Sequence, residues 1–171
     1  IAFVSQDVHL FSDTILNNIT LQDNNISFLR VKDAAKDIKI DDFISSLPNG
    51  YNYNVKERGV GLSTVHRQLI SFLRAYIKIP QILVLDEATS SIDTDSELLI
   101  QNAIEKITKN RTSIIIAHRL STIMKADNII VMDRGKIVET GTHEDLLKNI
   151  NGRYQKLYKA QLRKENKYIL D

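Results

Sequence analysis

The sequence has no cysteine, so disulfides and thiolate metal sites are excluded. It has no apolar run near the ~20 residues that a membrane-spanning helix needs, and no signal peptide. Runs of basic residues are missing too. With a formal net charge of only +2, there is no electrostatic reason to expect nucleic acid as a partner. Internal repeats and low-complexity segments are also absent. What is present is 171 residues, 43% hydrophobic and 26% charged, enough for one domain with a real core. The first residue is Ile1, not Met, and the opening residues already read as a strand. The sequence is therefore expected to be a piece of something longer, cut on its N-terminal side.

The most informative stretch is Ile82-Leu83-Val84-Leu85-Asp86-Glu87, followed by Ala88-Thr89-Ser90-Ser91-Ile92-Asp93. Four consecutive apolar residues, two of them β-branched, predict a strand buried on both faces. The strand delivers two adjacent carboxylates to the edge at which open α/β sheets bind ligands. Alternation makes the pair diverge, so one acid could hold a divalent cation while the other takes a proton from an attacking water. Taken alone, the pair reads equally well as caps for the next turn.

Around this strand the chain reads as follows. Residues 1–4 form a short strand, and Ser5-Gln6-Asp7 leaves it as a loop. Helices are predicted from Thr14 or Ser12 through Ile19, over 28–38, and over 41–47, where Pro48-Asn49-Gly50 supplies strong turn chemistry. Leu62-Ser63 opens a longer helix to about residue 78, with an apolar stripe of Leu69, Ile70, Leu73, Tyr76 and Ile77, and with Arg67 and Arg74 facing away. A helix over 95–108, a buried strand over 112–117 ending at His118, a short helix over 121–125 and a strand over 128–132 follow. Asp133-Arg134-Gly135 turns a hairpin into residues 136–139, and helices over 143–148 and 153–164 close the chain. The alternation of strands and helices in the latter two thirds predicts an α/β fold with a parallel sheet covered by helices. The helical first third reads as an insertion.

Five ordered motifs then give the chain a family resemblance. Gln6 follows a strand, Leu62-Ser63 starts a helix, Asp86-Glu87 ends the apolar strand, Ser91-Ile92-Asp93 lies just beyond, and Ala117-His118-Arg119-Leu120-Ser121-Thr122 follows the next strand. In this order they resemble the ATPase domain of ATP-binding cassette proteins, the exporter type above all. Val55-Lys56-Glu57-Arg58-Gly59 is similar to the exporter X-loop, and the hairpin with Gly141-Thr142-His143-Glu144-Asp145 is similar to the usual tail. The resemblance implies a P-loop NTPase-like parallel-sheet core, incomplete because its N-terminal part is missing, with an inserted helical subdomain. It divides the chain into a Q-loop and helical region (1–61), a signature, Walker B, D-loop and H-loop core (62–150), and a helical tail (151–171).

The same resemblance implies roles. ATP and Mg²⁺ would be bound. Glu87 would polarise the attacking water, Asp86 and Gln6 would hold Mg²⁺, and His118 would donate to the γ-phosphate. Ser63, Thr64 and His66 would meet the phosphate of a nucleotide held by a second ATPase domain, and Asp93 would shape the contact between the two domains. The Gln6 loop and the Glu57 region would face the coupling helices of a transmembrane domain, at the cytoplasmic face of the cell (inner) membrane. The phosphate-binding Gly-rich loop and its lysine would lie before Ile1, so the isolated chain is expected to be inactive. His9, His66 and His143 lack metal-ligand spacing, so zinc is not expected. The Tyr51/Tyr53 and Tyr154/Tyr158 pairs read as packing or surface residues, not a platform for stacked bases.

One departure from the family pattern carries weight. Leu62-Ser63-Thr64-Val65-His66 stands where the family has Leu-Ser-Gly-Gly-Gln. The two glycines would let a phosphate approach the backbone closely, and here β-branched side chains take their places. Ser63 can still cap the helix, leaving N–H groups and the dipole for a phosphate. A weak signature beside Glu87 and His118 favours a heterodimer with one degenerate site over a homodimer in which both sites share the defect. Two alternatives from other classes remain: a soluble superfamily member acting on ribosomes or DNA, and a module that dimerises around ATP with little hydrolysis.

Overall fold

The computed structural model describes residues 1–56, 59–86 and 94–167. The chain divides into two compact units, Ile1–Ile116 and Ala117–Asp171.

The first unit is built on three parallel strands in the order β1 (Ala2–Val4), β2 (Ile82–Asp86), β3 (Thr112–Ile116). Phe3 stands opposite Val84, and Val84 opposite Ile114. Between β1 and β2 lie α1 (Ile15–Thr20), α2 (Phe28–Asp37), α3 (Asp41–Ser46), a 3-10 turn (Gly50–Asn52) and α4 (Thr64–Ile77), so the inserted helical region is present. The starts of α1, α2 and α4 have a local cause. Thr14, Ser27 and Ser63 are extended N-caps whose hydroxyls accept from Asn17, Arg30 and His66 N–H respectively. The turn after α3 places Asn49 and Gly50 at φ 66° and 53°, the left-handed region those residue types tolerate.

Helix α4 is the pillar of this unit. Leu69, Ile70 and Leu73 are at most 1% exposed and pack with Ile15, Ile19, Val31 and Ile100 of the flanking helices. Each such side chain contributes on the order of 1.5–3 kcal/mol by burial. Arg74 does not face away as the helical stripe suggests. It is half-buried, and it ties α4 to the segment before α1.

The sheet differs from the expectation of two covered faces. Leu83 and Leu85 are buried with Val4 against α4 and α5 (Thr94–Thr108), whereas Phe3, Ile114 and Ile116 are 62%, 57% and 53% exposed. Among the described residues only one face is packed. A run of four apolar residues gives both faces the means to be buried, but the covering layer has to come from elsewhere.

The second unit holds α6 (Leu120–Met124), β4 (Ile129–Asp133), β5 (Lys136–Gly141), α7 (His143–Lys148) and α8 (Arg153–Lys167). Strand β4 forms the expected antiparallel hairpin with β5, but the pair makes a two-stranded sheet of its own and not an edge of the parallel sheet. The Arg134-Gly135 turn, with φ 46° and 76°, is of the mirror-image type that matches strand twist in tight hairpins. Val131, Leu146 and Tyr154 form its small core, so Tyr154 is a packing residue.

Candidate functional site

Parallel strands end on one side, and this fixes the first part of the site. The chain leaves β1 at Val4 and reaches Gln6 two residues later, while Asp86 is the last residue of β2. Val4 pairs with Leu85, so the Gln6 loop and Asp86 share the C-terminal edge of the sheet. Gln6 is exposed and Asp86 half-buried. Asp86 has the parity of Val84 and sits on the unpacked face, opposite Ile116 of β3. Glu87 and Asp93 lie outside the described residues, as does Glu57. Among the described residues no three metal-ligating side chains gather. One carboxylate and one amide oxygen at a common edge fit Mg²⁺, which takes few protein ligands and keeps waters and substrate phosphates for the rest.

The second part is the start of α4. Ser63 is exposed, with φ −64° and ψ 160°, and its Oγ accepts from His66 N–H at 3.2 Å. The same Oγ lies 3.0 Å from His66 Nδ1. The imidazole stacks on the Phe43 ring of α3, centroids 3.3 Å apart and planes 7° from parallel. Burial pushes the His66 pKa down. Thr64 is exposed, and its Oγ1 accepts from Arg67 at 3.1 Å. Val65 is 8% exposed and belongs to the core, so its side chain leaves the open side of the helix start to Thr64. The first turn of α4 contains no acidic residue.

A third feature connects the two parts. Arg74 Nε donates to the Asn18 carbonyl at 2.8 Å, Nη2 reaches Asn18 Oδ1 at 3.4 Å, and Nη1 donates to the His9 carbonyl at 3.2 Å. Asn18, fully buried, exchanges bonds with Phe11 in both directions, at 2.8 and 2.9 Å. The segment that follows Gln6 is thereby anchored to the last turn of α4. Burial pushes the Arg74 guanidinium below its usual range. The sequence pattern assigns no site role to Phe43 or Asn18 and places Arg74 on the outer face of its helix. An arginine inside the apolar run of α4 was the one available signal. Phe43 gave none, because its partner lies on another helix.

The second unit carries His118, two residues beyond β3. It is exposed, and its carbonyl accepts from the Gln161 side chain of α8.

Comparison with known proteins gives the family. The family model described as ABC transporter matches residues 1–90, more than half of the chain. An ATP-dependent lipid A-core flippase of Methylobacillus flagellatus is 50% identical over 161 residues, covering 94% of this chain and 27% of that protein. A putative multidrug export ATP-binding/permease protein of Staphylococcus aureus strain NCTC 8325 is 48% identical, covering 94% of this chain and 28% of that protein. The solved structure of a bacterial Atm1-family ABC exporter with ATP bound superposes with a TM-score of 0.82 at 42% identity, covering 94% of this chain and 28% of that one. The chain thus spans about a quarter of the length of the relatives it matches.

Proposed function

The chain belongs to the ABC transporter family, and on that premise we propose that it is part of the ATP-hydrolysing domain of an exporter, working at the cytoplasmic face of the cell (inner) membrane. Supporting this are relatives named for lipid A-core flipping and multidrug export. The observation that carries it is the shared C-terminal edge of β1 and β2, with Gln6 and Asp86 together where open sheets bind ligands. In this reading residues 1–61 form the Q-loop and helical region, 62–150 the catalytic core and 151–171 a tail.

Asp86 and the Gln6 amide would hold Mg²⁺, which when bound neutralises charge on the nucleotide phosphates. Glu87 orients the attacking water and accepts its proton. Positioning contributes more than proton affinity, because an ordinary carboxylate is a weak base at neutral pH. His118, exposed at the end of its strand, donates to the γ-phosphate. Ser63, Thr64 and His66 serve a nucleotide held by a second ATPase domain, and Asp93 shapes the contact with that domain. The Gln6 loop and the Glu57 region face the transmembrane coupling helices. The altered signature beside the Asp86-Glu87 pair and His118 supports a heterodimer in which the site completed by this signature is the degenerate one. No helix among the described residues is long and apolar enough to cross a membrane, and the spans would belong to the rest of the transporter.

The test is Glu87→Gln in the full-length protein. ATP binding should survive, while single-turnover hydrolysis at this site falls roughly 10²–10⁴-fold. Hydrolysis within a few-fold of wild type would remove Glu87 from the role of base. The 171-residue chain alone should show no Mg²⁺-dependent turnover, and turnover abolished by Glu87→Gln would overturn that. The buried position of Val65 also refines the dimer test. Thr64→Gly with His66→Gln restores the exposed part of the signature without opening the core. In a homodimer this pair should raise Glu87-dependent turnover at both sites. In a heterodimer whose partner lacks its base, it should improve closure and leave turnover nearly unchanged.

A further inference from the structure

We propose that Phe43 is a positioning residue for the signature: its ring holds the His66 imidazole against Ser63, committing the serine hydroxyl hydrogen to Nδ1 until the imidazole takes up a proton. The proposal rests on the ATPase reading above, since it concerns the phosphate that reading brings to the start of α4.

The geometry is that of a closed hydroxyl. Ser63 Oγ accepts from His66 N–H at 3.2 Å and lies 3.0 Å from His66 Nδ1. With the ring proton on Nε2, the hydroxyl hydrogen points to Nδ1, and the serine has no donor left for an outside acceptor. The Phe43 stack, 3.3 Å between centroids, holds the ring in that orientation. Protonation of Nδ1 reverses the bond: Nδ1–H donates to Oγ, and the hydroxyl hydrogen is released to donate to a phosphate oxygen. The imidazolium adds a positive charge beside that phosphate, and the phenyl face stabilises it through cation–π attraction. In the absence of an anion, burial disfavours the charged ring.

The charged groups on the two helices that bring Phe43 and His66 together are otherwise placed. Asp41 of α3 is buried and accepts from the Tyr51 hydroxyl at 2.7 Å, Asp42 is exposed, and Arg67 reaches Thr64 Oγ1. Only burial shifts the His66 pKa. Nucleotide-driven closure should therefore take up a proton at His66. A glutamine in its place, as in the family pattern, would need none.

The experiment uses the full-length dimer with MgATP, reading the distance between its two ATPase domains spectroscopically as ATP is titrated from about pH 8 to about pH 5.5, the range a histidine spans. In wild type the half-saturating ATP concentration should fall about threefold to tenfold more than in His66→Gln over that range, the worth of one hydrogen bond gained. Comparing the two proteins cancels titration of the nucleotide and of all other groups. Phe43→Leu should lower the wild-type value at the high-pH end and flatten its pH dependence, and Phe43→Tyr, which keeps the stack, should restore both. Parallel pH curves for wild type and His66→Gln would overturn the proposal. So would Phe43→Leu behaving like Phe43→Tyr, since a purely structural contact would leave the pH profile unmoved. A full-length protein that neither binds nor closes on MgATP would instead overturn the ATPase reading, and the proposal with it.

Discussion

The starts of α4 and α7 share a local design and put it to opposite use. Both open on an extended hydroxyl residue, Ser63 or Thr142, whose oxygen accepts from the N–H three residues on. At α7 that third residue is Asp145, and its carboxylate takes the Thr142 hydroxyl hydrogen at 2.8 Å. With Glu144 beside it, the positive end of the helix dipole is met by the chain's own acids. Helix α8 is served likewise from outside: Glu139 of β5 accepts from Arg153 N–H at 3.1 Å and from Tyr154 N–H at 2.7 Å. At α4 the third residue is His66, and no acid stands in the first turn. An acid-free first turn is not peculiar to α4, since α1, α2 and α6 share it; the contrast lies between α4 and the acid-filled starts of α7 and α8.

The largest effect should come from emptying the filled site at α8. Glu139→Ala leaves two backbone N–H groups and the Asn149 amide without their acceptor, a loss of about 1–3 kcal/mol. Gly152 lies in the same cradle. A Cβ there would stand 2.7 Å from Glu139 Oε1 and 2.9 Å from the Asn149 carbonyl, so Gly152→Ala should cost a comparable amount, about 1–3 kcal/mol, by overpacking. Thermal unfolding, with hydrogen exchange at Tyr154 N–H, reads both. An unprotected Tyr154 amide in wild type would break the comparison at its strongest point.

Next in size is the self-capped start of α7. Thr142→Ala should cost about 1 kcal/mol, within the range for N-cap removal. It should also change the pH response. The Lys148 ammonium, at 2.8 Å, and then the Thr142 hydroxyl hold the Asp145 carboxyl below its usual range. A carboxyl depressed in the folded state contributes stability above its unfolded pKa, near 3.9, and loses it as pH falls through the folded value. Thr142→Ala should thus shrink the stability lost on acidification. His66 has the same sign by a different cause: burial depresses a base, so its share is present above about pH 6.5 and falls as pH drops through the lower folded pKa.

These starts also mark how far the sequence could be read. Thr14, Ser63 and the Asn49-Gly50 turn act over three or four residues, so their roles were visible in the order of residues alone. The coverage of the sheet was not. The run from Ile82 to Leu85 fits burial on both faces, and only the packing partners decide that Val84 is half-covered while Leu85 is 1% exposed. The Asp133-Arg134-Gly135 turn marks β4 as half of a hairpin, but an apolar run carries no sign of which sheet it joins. In the candidate site, Asp86 and Glu87 stand out as a carboxylate pair at a strand end, and Ser63 as a helix cap, whereas the Phe43–His66 stack and the Arg74 clamp join residues far apart in sequence. The roles of Gln6 and Asp93 rest on the family pattern alone.

The smallest expected effect on stability is also the sharpest test of the contrast. His66→Asp gives α4 the arrangement of α7, with an acid three residues after the cap. An acid in the first turn favours the helix by about 0.3–1 kcal/mol. The same change removes the stack on Phe43, a loss of about 0.5–1.5 kcal/mol beyond simple area. The two nearly cancel, so the melting temperature should move little. Function should not follow stability. A fixed negative charge at the start of α4 repels the phosphate that this helix is assigned to meet and takes the Ser63 hydroxyl hydrogen for itself, as Asp145 takes that of Thr142. The ATP concentration for closure of the full-length dimer should rise by about tenfold or more, the scale of one charge-assisted hydrogen bond lost. It should rise less as the pH falls toward the carboxyl's own titration. A His66→Asp protein with unchanged stability and unchanged ATP dependence would mean that no phosphate meets α4, and that the missing acid at its start has no bearing on the nucleotide.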